Sequence, residues 1–193
     1  FDSQDVHVNY PVLFAKPLLF KQIKGSLAWW QTGANWIVSS PSLELNCTAI
    51  KSESRMMVEI PKTDEQPFLD LQTTFKSDNI SQAAVLLMPT QIMHDKLKSW
   101  LTKAFVGGKV TQGDLLLYGK ASGFPYIDNS GMFEAKLDIA NAELNYHPEW
   151  QHISGINGEL SFTKDNILGS FNHGIIGKVE IKKADMLISG LGT

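Results

Sequence analysis

Cysteine, an excess of positive charge and long apolar stretches are scarce or missing in this sequence. The single cysteine, Cys47, excludes an internal disulfide and a cysteine-rich metal site. With 17 Lys+Arg against 20 Asp+Glu, the net charge is −3, so the basic field that attracts nucleic acid is absent. No apolar run approaches the roughly 20 residues that cross a bilayer. We therefore expect a globular chain of 193 residues with no nucleic-acid partner.

Sequence motifs for phosphate binding and nucleophilic catalysis are also absent. Neither G-x-x-x-x-G-K-[ST] nor G-x-G-x-x-G occurs, and no G-x-S-x-G supplies a nucleophilic serine. The five histidines show no H-E-x-x-H or other close ligand spacing. His147 and His152 flank Pro148-Glu149-Trp150, which we interpret as a polar loop between strands, with a ligand site as the alternative. We expect no enzyme activity, no metal and no cofactor.

Apolar and polar residues alternate with a period of two over much of the chain, as in strands with one apolar face. The clearest run, Met132 to Ile139, places four apolar residues on one face, namely Phe133, Ala135, Leu137 and Ile139. The alternation continues nearby with Ala142, Leu144 and Tyr146. Clusters of Gly and Asn, such as 129–131 and 155–158, separate these runs. The pattern predicts hairpins and a mostly β fold built on an antiparallel sheet.

One region of the chain has the periodicity of a helix. From Thr90 to Phe105, four apolar residues fall on a single helical stripe, namely Met93, Leu97, Trp100 and Leu101. A shorter helix is predicted from about Asn79 to Leu87, before Pro89. We therefore expect a helical insertion at about 79–106, with an amphipathic helix against the apolar face of the sheet. Lysines on its polar side leave binding to a membrane surface as the alternative.

Two other local features are informative. The segment from Ile23 to Trp29 matches the segment from Ile156 to Phe162 as I-x-G-x-L-x-aromatic, which fits a chain that reuses one hairpin unit. Trp29, Trp30 and Trp36 lie close together in sequence. Since neighbouring strand residues point to opposite faces, at least one of these tryptophans is expected in the core, with surface binding of a carbohydrate or partner as the alternative.

The stretch from Trp100 to Trp150 carries a series of motifs in a fixed order. They are Trp100-Leu101, Ala104-Phe105-Val106-Gly107-Gly108, Gly113 to Gly119, Phe124-Pro125-Tyr126, Gly131-Met132-Phe133 and Leu144-Asn145-Tyr146. In this order the stretch resembles the central region of the YhdP family, the large AsmA-like envelope proteins of Gram-negative bacteria. The chain departs from the family pattern near its end, where His147-Pro148-Glu149-Trp150 replaces the expected Trp-Pro.

The resemblance implies a fold, a location and a set of partners. Residues 1–193 would be one fragment of a larger repetitive protein, with flanking repeats of the same parent chain as neighbours. The parent would be periplasmic, and segments outside this fragment would contact the membrane and anchor the parent in the inner membrane. The fold would be a curved, groove-like or taco-like antiparallel sheet whose apolar groove carries phospholipid from the inner to the outer membrane without an active site.

A groove of this kind makes specific residues candidates for lipid contact. The expected lining comprises Phe133, Ala135, Leu137, Ile139, Leu144, Tyr146, Leu160 and Phe162. Met93, Leu97, Trp100 and Leu101 on the helix would cover it. The same residues also fit an ordinary closed core, and the whole chain also fits a non-conducting structural or interaction module whose open sheet edges pair with neighbours.

Overall fold

The computed structural model describes residues 1–9, 17–87, 99, 102–145 and 149–190. Within this part of the chain, twelve strands form one antiparallel sheet. The strands are β1 (Asp2–Val8), β2 (Leu18–Gly25), β3 (Ala28–Thr32), β4 (Asn35–Cys47), β5 (Lys51–Pro61), β6 (Phe68–Ser77), β7 (Phe105–Lys120), β8 (Met132–Leu144), β9 (Ile153–Thr163), β10 (Asn166–Ile176), β11 (Val179–Ile181) and β12 (Ala184–Ile188). Helix α1 (Ile80–Leu87) lies between β6 and β7. The predicted mostly β, antiparallel fold is confirmed.

The sheet is an open meander in which neighbours in sequence are neighbours in space. Its order is β1-β2-β4-β5-β6-β7-β8-β9-β10-β11, with β3 also paired to β4 and β12 to β10. At about 4.8 Å per strand, the ten strands of this path extend about 43 Å across the sheet. Register shifts interrupt several of the pairings, and such bulges bend and twist a sheet. This architecture is consistent with the predicted curved, groove-like sheet.

The two faces of the sheet differ in chemistry. Leu71 on β6 pairs with Leu117 on β7, and we call the face that carries this pair the inner face. The outer face carries ion pairs, including Arg55–Asp70 at 2.8 Å and Lys136–Glu159 at 2.7 Å. The aligned registers keep most positions of the inner face apolar from β4 to β12. Its polar members on β4 to β6 include Ser40, Ser52, Ser54 and Thr73, and the hydroxyls of Ser54 and Thr73 lie 2.9 Å apart. Its apolar residues include Val38, Leu45, Met56, Val58, Leu69, Leu71, Phe75, Leu115, Leu117, Leu137, Leu160, Ile167, Phe171, Met186 and Ile188.

Helix α1 begins at a side-chain cap and packs on the inner face. The Asn79 side-chain oxygen accepts hydrogen bonds from the Gln82 amide at 3.1 Å and the Ser81 hydroxyl at 2.8 Å. Ile80 belongs to the same buried cluster as Val110 and Ile139. The short helix that the sequence predicts is present, and it contacts the apolar face through Ile80.

The longer predicted helix falls mostly outside the described residues. Met93, Leu97, Trp100 and Leu101, the expected cover, all lie in the undescribed positions 88–98, 100 and 101. Residues 102–104 are helical, and β7 begins directly after them at Phe105. Ala104 and Phe105 are buried in the cluster that contains Ile80.

Candidate functional site

The inner face brings together most of the residues that the sequence predicted for a groove lining. Ala135 on β8 pairs with Phe162 on β9, and Leu137 pairs with Leu160. Phe133 and Ile139 continue the same face of β8 by alternation. Tyr146 lies outside the described residues. The residues therefore share one face, as the alternation predicts.

Leu144 joins this face because of a bulge in β8. The pairing with β9 shifts register between Ile139 and Ala142, and Asn141 has a φ of +50°. The Asn141 amide donates a hydrogen bond to the Asn157 side-chain oxygen at 2.9 Å, which satisfies the backbone group that the bulge frees. The extra residue reverses the alternation, so Ala142 and Leu144 stay in the same buried cluster as Ile139.

The β7–β8 loop covers the inner face at the strand ends opposite α1. Tyr126 is 1% exposed and lies close to Gly119. A Cβ atom at Gly119 would be 2.7 Å from the Tyr126 ring. The ring of Phe124 contacts that of Phe133, with centroids 4.9 Å apart. Burial raises the pKa of the Tyr126 hydroxyl. The loop and α1 therefore bound a strip of the inner face that runs across the strands.

Between these two boundaries, the inner face is only partly covered. Leu71, Leu115 and Leu117 are half-buried, as is Ala135 beside them on β8. Apolar side chains of this kind stay in contact with water unless another apolar group covers them. This strip therefore presents partly exposed apolar side chains between the loop and α1.

An apolar cavity of about 310 Å³ lies at the β8–β12 end of the inner face. Its lining includes Phe171 on β10 together with Met186 and Ile188 on β12, and His173 is the titratable member. The remaining lining residues are Leu144, Ile153, Ile156, Gly174, Ile181 and Ala184. A cavity of this size is within the range of small-ligand sites, and its walls suit hydrocarbon.

A larger cavity of about 590 Å³ belongs to the outer face. Two parallel rows of outer-face residues line it, one from Glu53 to Ser161 and one from Arg55 to Thr163. The inner-face row that runs between them, from Ser54 through Thr73, Leu115 and Ala135 to Phe162, also belongs to its lining, whereas Leu71 and Leu117 do not. In this trough, the hydrogen bond and charge of Glu159 raise the pKa of Lys136. The trough is therefore a charged, solvated surface.

At the opposite end of the sheet, the inner face is apolar and open. Trp29 is 68% exposed and Trp36 is 42% exposed, and Ile60 pairs with Trp36 beside them. Trp30, on the outer face, is 45% exposed. The expectation that at least one of these tryptophans belongs to the core is wrong. The tryptophans belong to the β3–β4 hairpin. Among the described residues β3 pairs only with β4, so the hairpin lies at the margin of the sheet.

Metal-binding residue types are spread over the part of the chain that the structure describes. No cluster of three or more His, Cys, Asp or Glu residues there could hold a metal ion. His152 lies 3.2 Å from Glu143, and His147 is outside the described positions. No helix within those ranges has the length and hydropathy needed to cross a bilayer.

Sequence reasoning missed the part of the inner face that β10 and β12 contribute. Ile167 and Phe171 of β10 alternate with Gly169 between them, so the run of apolar residues is broken in sequence. Ala184, Met186 and Ile188 of β12 do alternate with polar or exposed residues, and this signal could have found them.

Comparison with known proteins gives a family match over the whole chain and a match to a curated relative. A family model described as "YhdP protein" matches residues 1–193, the whole chain. The "Intermembrane phospholipid transporter YhdP" of Escherichia coli (strain K12) is 25% identical over 158 residues. The match covers 82% of this chain and 12% of that relative, so the chain spans a small part of its length. No solved structure matches.

Proposed function

This chain belongs to the YhdP protein family, and we propose that it holds phospholipid acyl chains on its inner face as one section of a longer path between membranes. The observation that carries the proposal is the continuity of the inner face. Its apolar rows follow the registers from β4 to β12, while the outer face carries the ion pairs. The E. coli relative, named as an intermembrane phospholipid transporter, supports this choice of ligand.

The energetics of the inner face suit a lipid that is held without specific polar contacts. Covering apolar surface contributes about 25 cal/mol per Å², or about 0.8 kcal/mol for each CH₂ removed from water. A dozen methylenes then give on the order of 10 kcal/mol. Because this term has no direction, an acyl chain can slide along the strip while its headgroup stays in water.

The edges of the sheet, as the described residues form them, support a position of the chain between flanking repeats. Among the described residues, β1 pairs only with β2 at one edge, and β11 and β12 pair only with β10 at the other. In the proposal, flanking repeats of the same parent chain extend the sheet at these edges and lengthen the apolar strip. The parent protein is periplasmic in this proposal, with an anchor in the inner membrane, and it carries lipid without catalysis.

The buried cluster around Ile80 favours a second candidate function. Ile80, Ala104 and Phe105 already cover the inner face at one set of strand ends. A chain whose remaining strip is covered by its neighbours would be a structural module of the envelope that conducts no lipid. The two functions differ in whether the purified chain takes up phospholipid.

Native mass spectrometry of the purified chain, after incubation with phospholipid vesicles, tests the proposal. We expect bound phospholipid in the wild type and its loss in Leu117→Asp, on the inner face. Leu116→Asp is the matched control because Leu116 lies next to it on the outer face of β7. A wild-type chain that takes up no lipid would support the structural module. A folded Leu117→Asp chain that binds lipid as well as Leu116→Asp would overturn the inner face as the binding surface.

A further inference from the structure

The apolar cavity at the β8–β12 end of the inner face is bordered by a turn that carries two lysines. Ile181 and Ala184 both line the cavity, and the two residues that join them are Lys182 and Lys183. Both lysines are exposed; Lys178, also exposed, lies in the turn before β11. The backbone of Lys182 and Lys183 therefore adjoins the hydrocarbon lining of the cavity, and both side chains reach solvent there.

The positive charge of this turn is available to a ligand. Lys182 and Lys183 contribute two positive charges, and the nearest acidic residues, Glu180 and Asp185, lie on the flanking strands. Asp185 accepts a hydrogen bond from the Ser170 hydroxyl at 3.0 Å. The glutamate, Glu180, lies 3.7 Å from His173. Among the described residues, the ion pairs formed within 4.0 Å include none to Lys178, Lys182 or Lys183. Two exposed ammonium groups without an ion pair, next to an apolar cavity, are complementary to an anionic amphiphile.

We propose that this end of the inner face is a subsite for an anionic phospholipid, with one acyl chain in the cavity and its phosphate against Lys182 and Lys183. This inference rests on the proposed function and adds a preference for headgroup charge. Hydrocarbon in the cavity supplies the affinity, and the lysines discriminate between lipids because a zwitterionic headgroup carries its own cation. Exposed ammonium groups contribute modestly, so the expected discrimination is about threefold to tenfold.

The preference is tested with two soluble probes of equal acyl length, lysophosphatidylglycerol and lysophosphatidylcholine, titrated into this chain by calorimetry. We expect the anionic probe to bind about threefold to tenfold more tightly to the wild type. Lys182→Gln/Lys183→Gln should remove the difference. Lys51→Gln/Lys76→Gln is the matched control, since these lysines pair on the outer face and their replacement changes the net charge equally.

The outcomes separate this inference from the proposed function. Equal affinities in the wild type, or a preference that survives Lys182→Gln/Lys183→Gln, overturn the subsite but leave the proposed function standing. Failure of both probes to bind overturns both. Ala184→Phe, which fills the cavity, should weaken both probes, and unchanged affinities would place the acyl chain elsewhere. If that variant does not fold, Ile181→Asn on β11 makes the same test.

Discussion

Gly25 and Gly158 occupy equivalent positions in two hairpins of the sheet, with φ angles of +157° and +156°. Gly25 pairs with Leu43. A Cβ atom at Gly25 would lie 2.4 Å from the carbonyl oxygen of Ser42, the residue before Leu43. Gly158 pairs with Phe171, and its Cβ would lie 2.2 Å from the carbonyl oxygen of Ser170. The I-x-G-x-L repeat in the sequence is therefore also a repeat in backbone conformation.

This equivalence predicts matching effects of substitution. Gly25→Ala and Gly158→Ala should each lower the free energy of unfolding by about 1–3 kcal/mol, because both the φ angle and the approaching strand oppose a Cβ. Gly107→Ala is the control, since nothing lies within 4 Å of its Cβ position, and it should change stability by less than about 0.5 kcal/mol. Urea unfolding measures the free energy of unfolding of all three variants. Equal stabilities for Gly158→Ala and Gly107→Ala would contradict the claim that the approaching strand excludes a Cβ at Gly158.

Tyr126 predicts opposite results for two substitutions at one position. Its hydroxyl is buried with no hydrogen-bond partner among the described residues, while its ring packs on Gly119, Gly123 and Gly131. Tyr126→Phe keeps the ring and should be neutral or stabilising by up to about 1 kcal/mol. Tyr126→Ala should destabilise by about 3–5 kcal/mol. Thermal unfolding compares the variants, and a clear loss in Tyr126→Phe would show that the hydroxyl has a partner.

The same residue predicts how stability depends on alkaline pH. Burial raises the pKa of Tyr126 above its ordinary value of 10.0, so the unfolded chain loses this proton at a lower pH than the folded chain. The part of the free energy of unfolding that is linked to this proton is therefore complete below pH 10, and it is lost as the pH rises through the folded-state pKa of Tyr126. Urea unfolding at several alkaline pH values should show a smaller decline in Tyr126→Phe. An identical decline in the two proteins would contradict the buried position.

The start of helix α1 predicts a capping effect at Asn79. Asn79→Ala removes the side-chain oxygen that accepts from the Gln82 amide and should cost about 1 kcal/mol of stability. Asn79→Ser supplies another capping oxygen and should restore most of that loss. Chemical denaturation of the three proteins is the measurement. Equal stability of the alanine and serine variants would show that the cap contributes little.

The sequence predicts the apolar face of β8 well because alternation is a local property. Phe133, Leu137 and Ile139 need only a period of two, and the reversed alternation at Ala142 and Leu144 marks the bulge between them. The three consecutive leucines 115–117 hide the same alternation on β7.

Contacts between residues that are far apart in sequence could not be predicted in the same way. A Cβ at Gly113 would lie 2.5 Å from the ring of Phe75, so the glycine makes room for an aromatic residue on the neighbouring strand. Nothing near Gly113 in sequence indicates this. The exposure of Trp29 and Trp36 likewise depends on where the β3–β4 hairpin lies in the sheet, which a local pattern does not contain.

The central claim is that lipid contacts one face of the sheet, and a photo-crosslinking scan along β8 tests it most directly. A photoreactive amino acid is placed in turn at each position from 133 to 138, and each chain is irradiated with labelled phospholipid. We predict that lipid crosslinks at positions 133, 135 and 137 and is absent at 134, 136 and 138, whose side chains lie on the outer face. Equal crosslinking at adjacent positions, or none at 135 and 137 in a folded chain, would contradict the account.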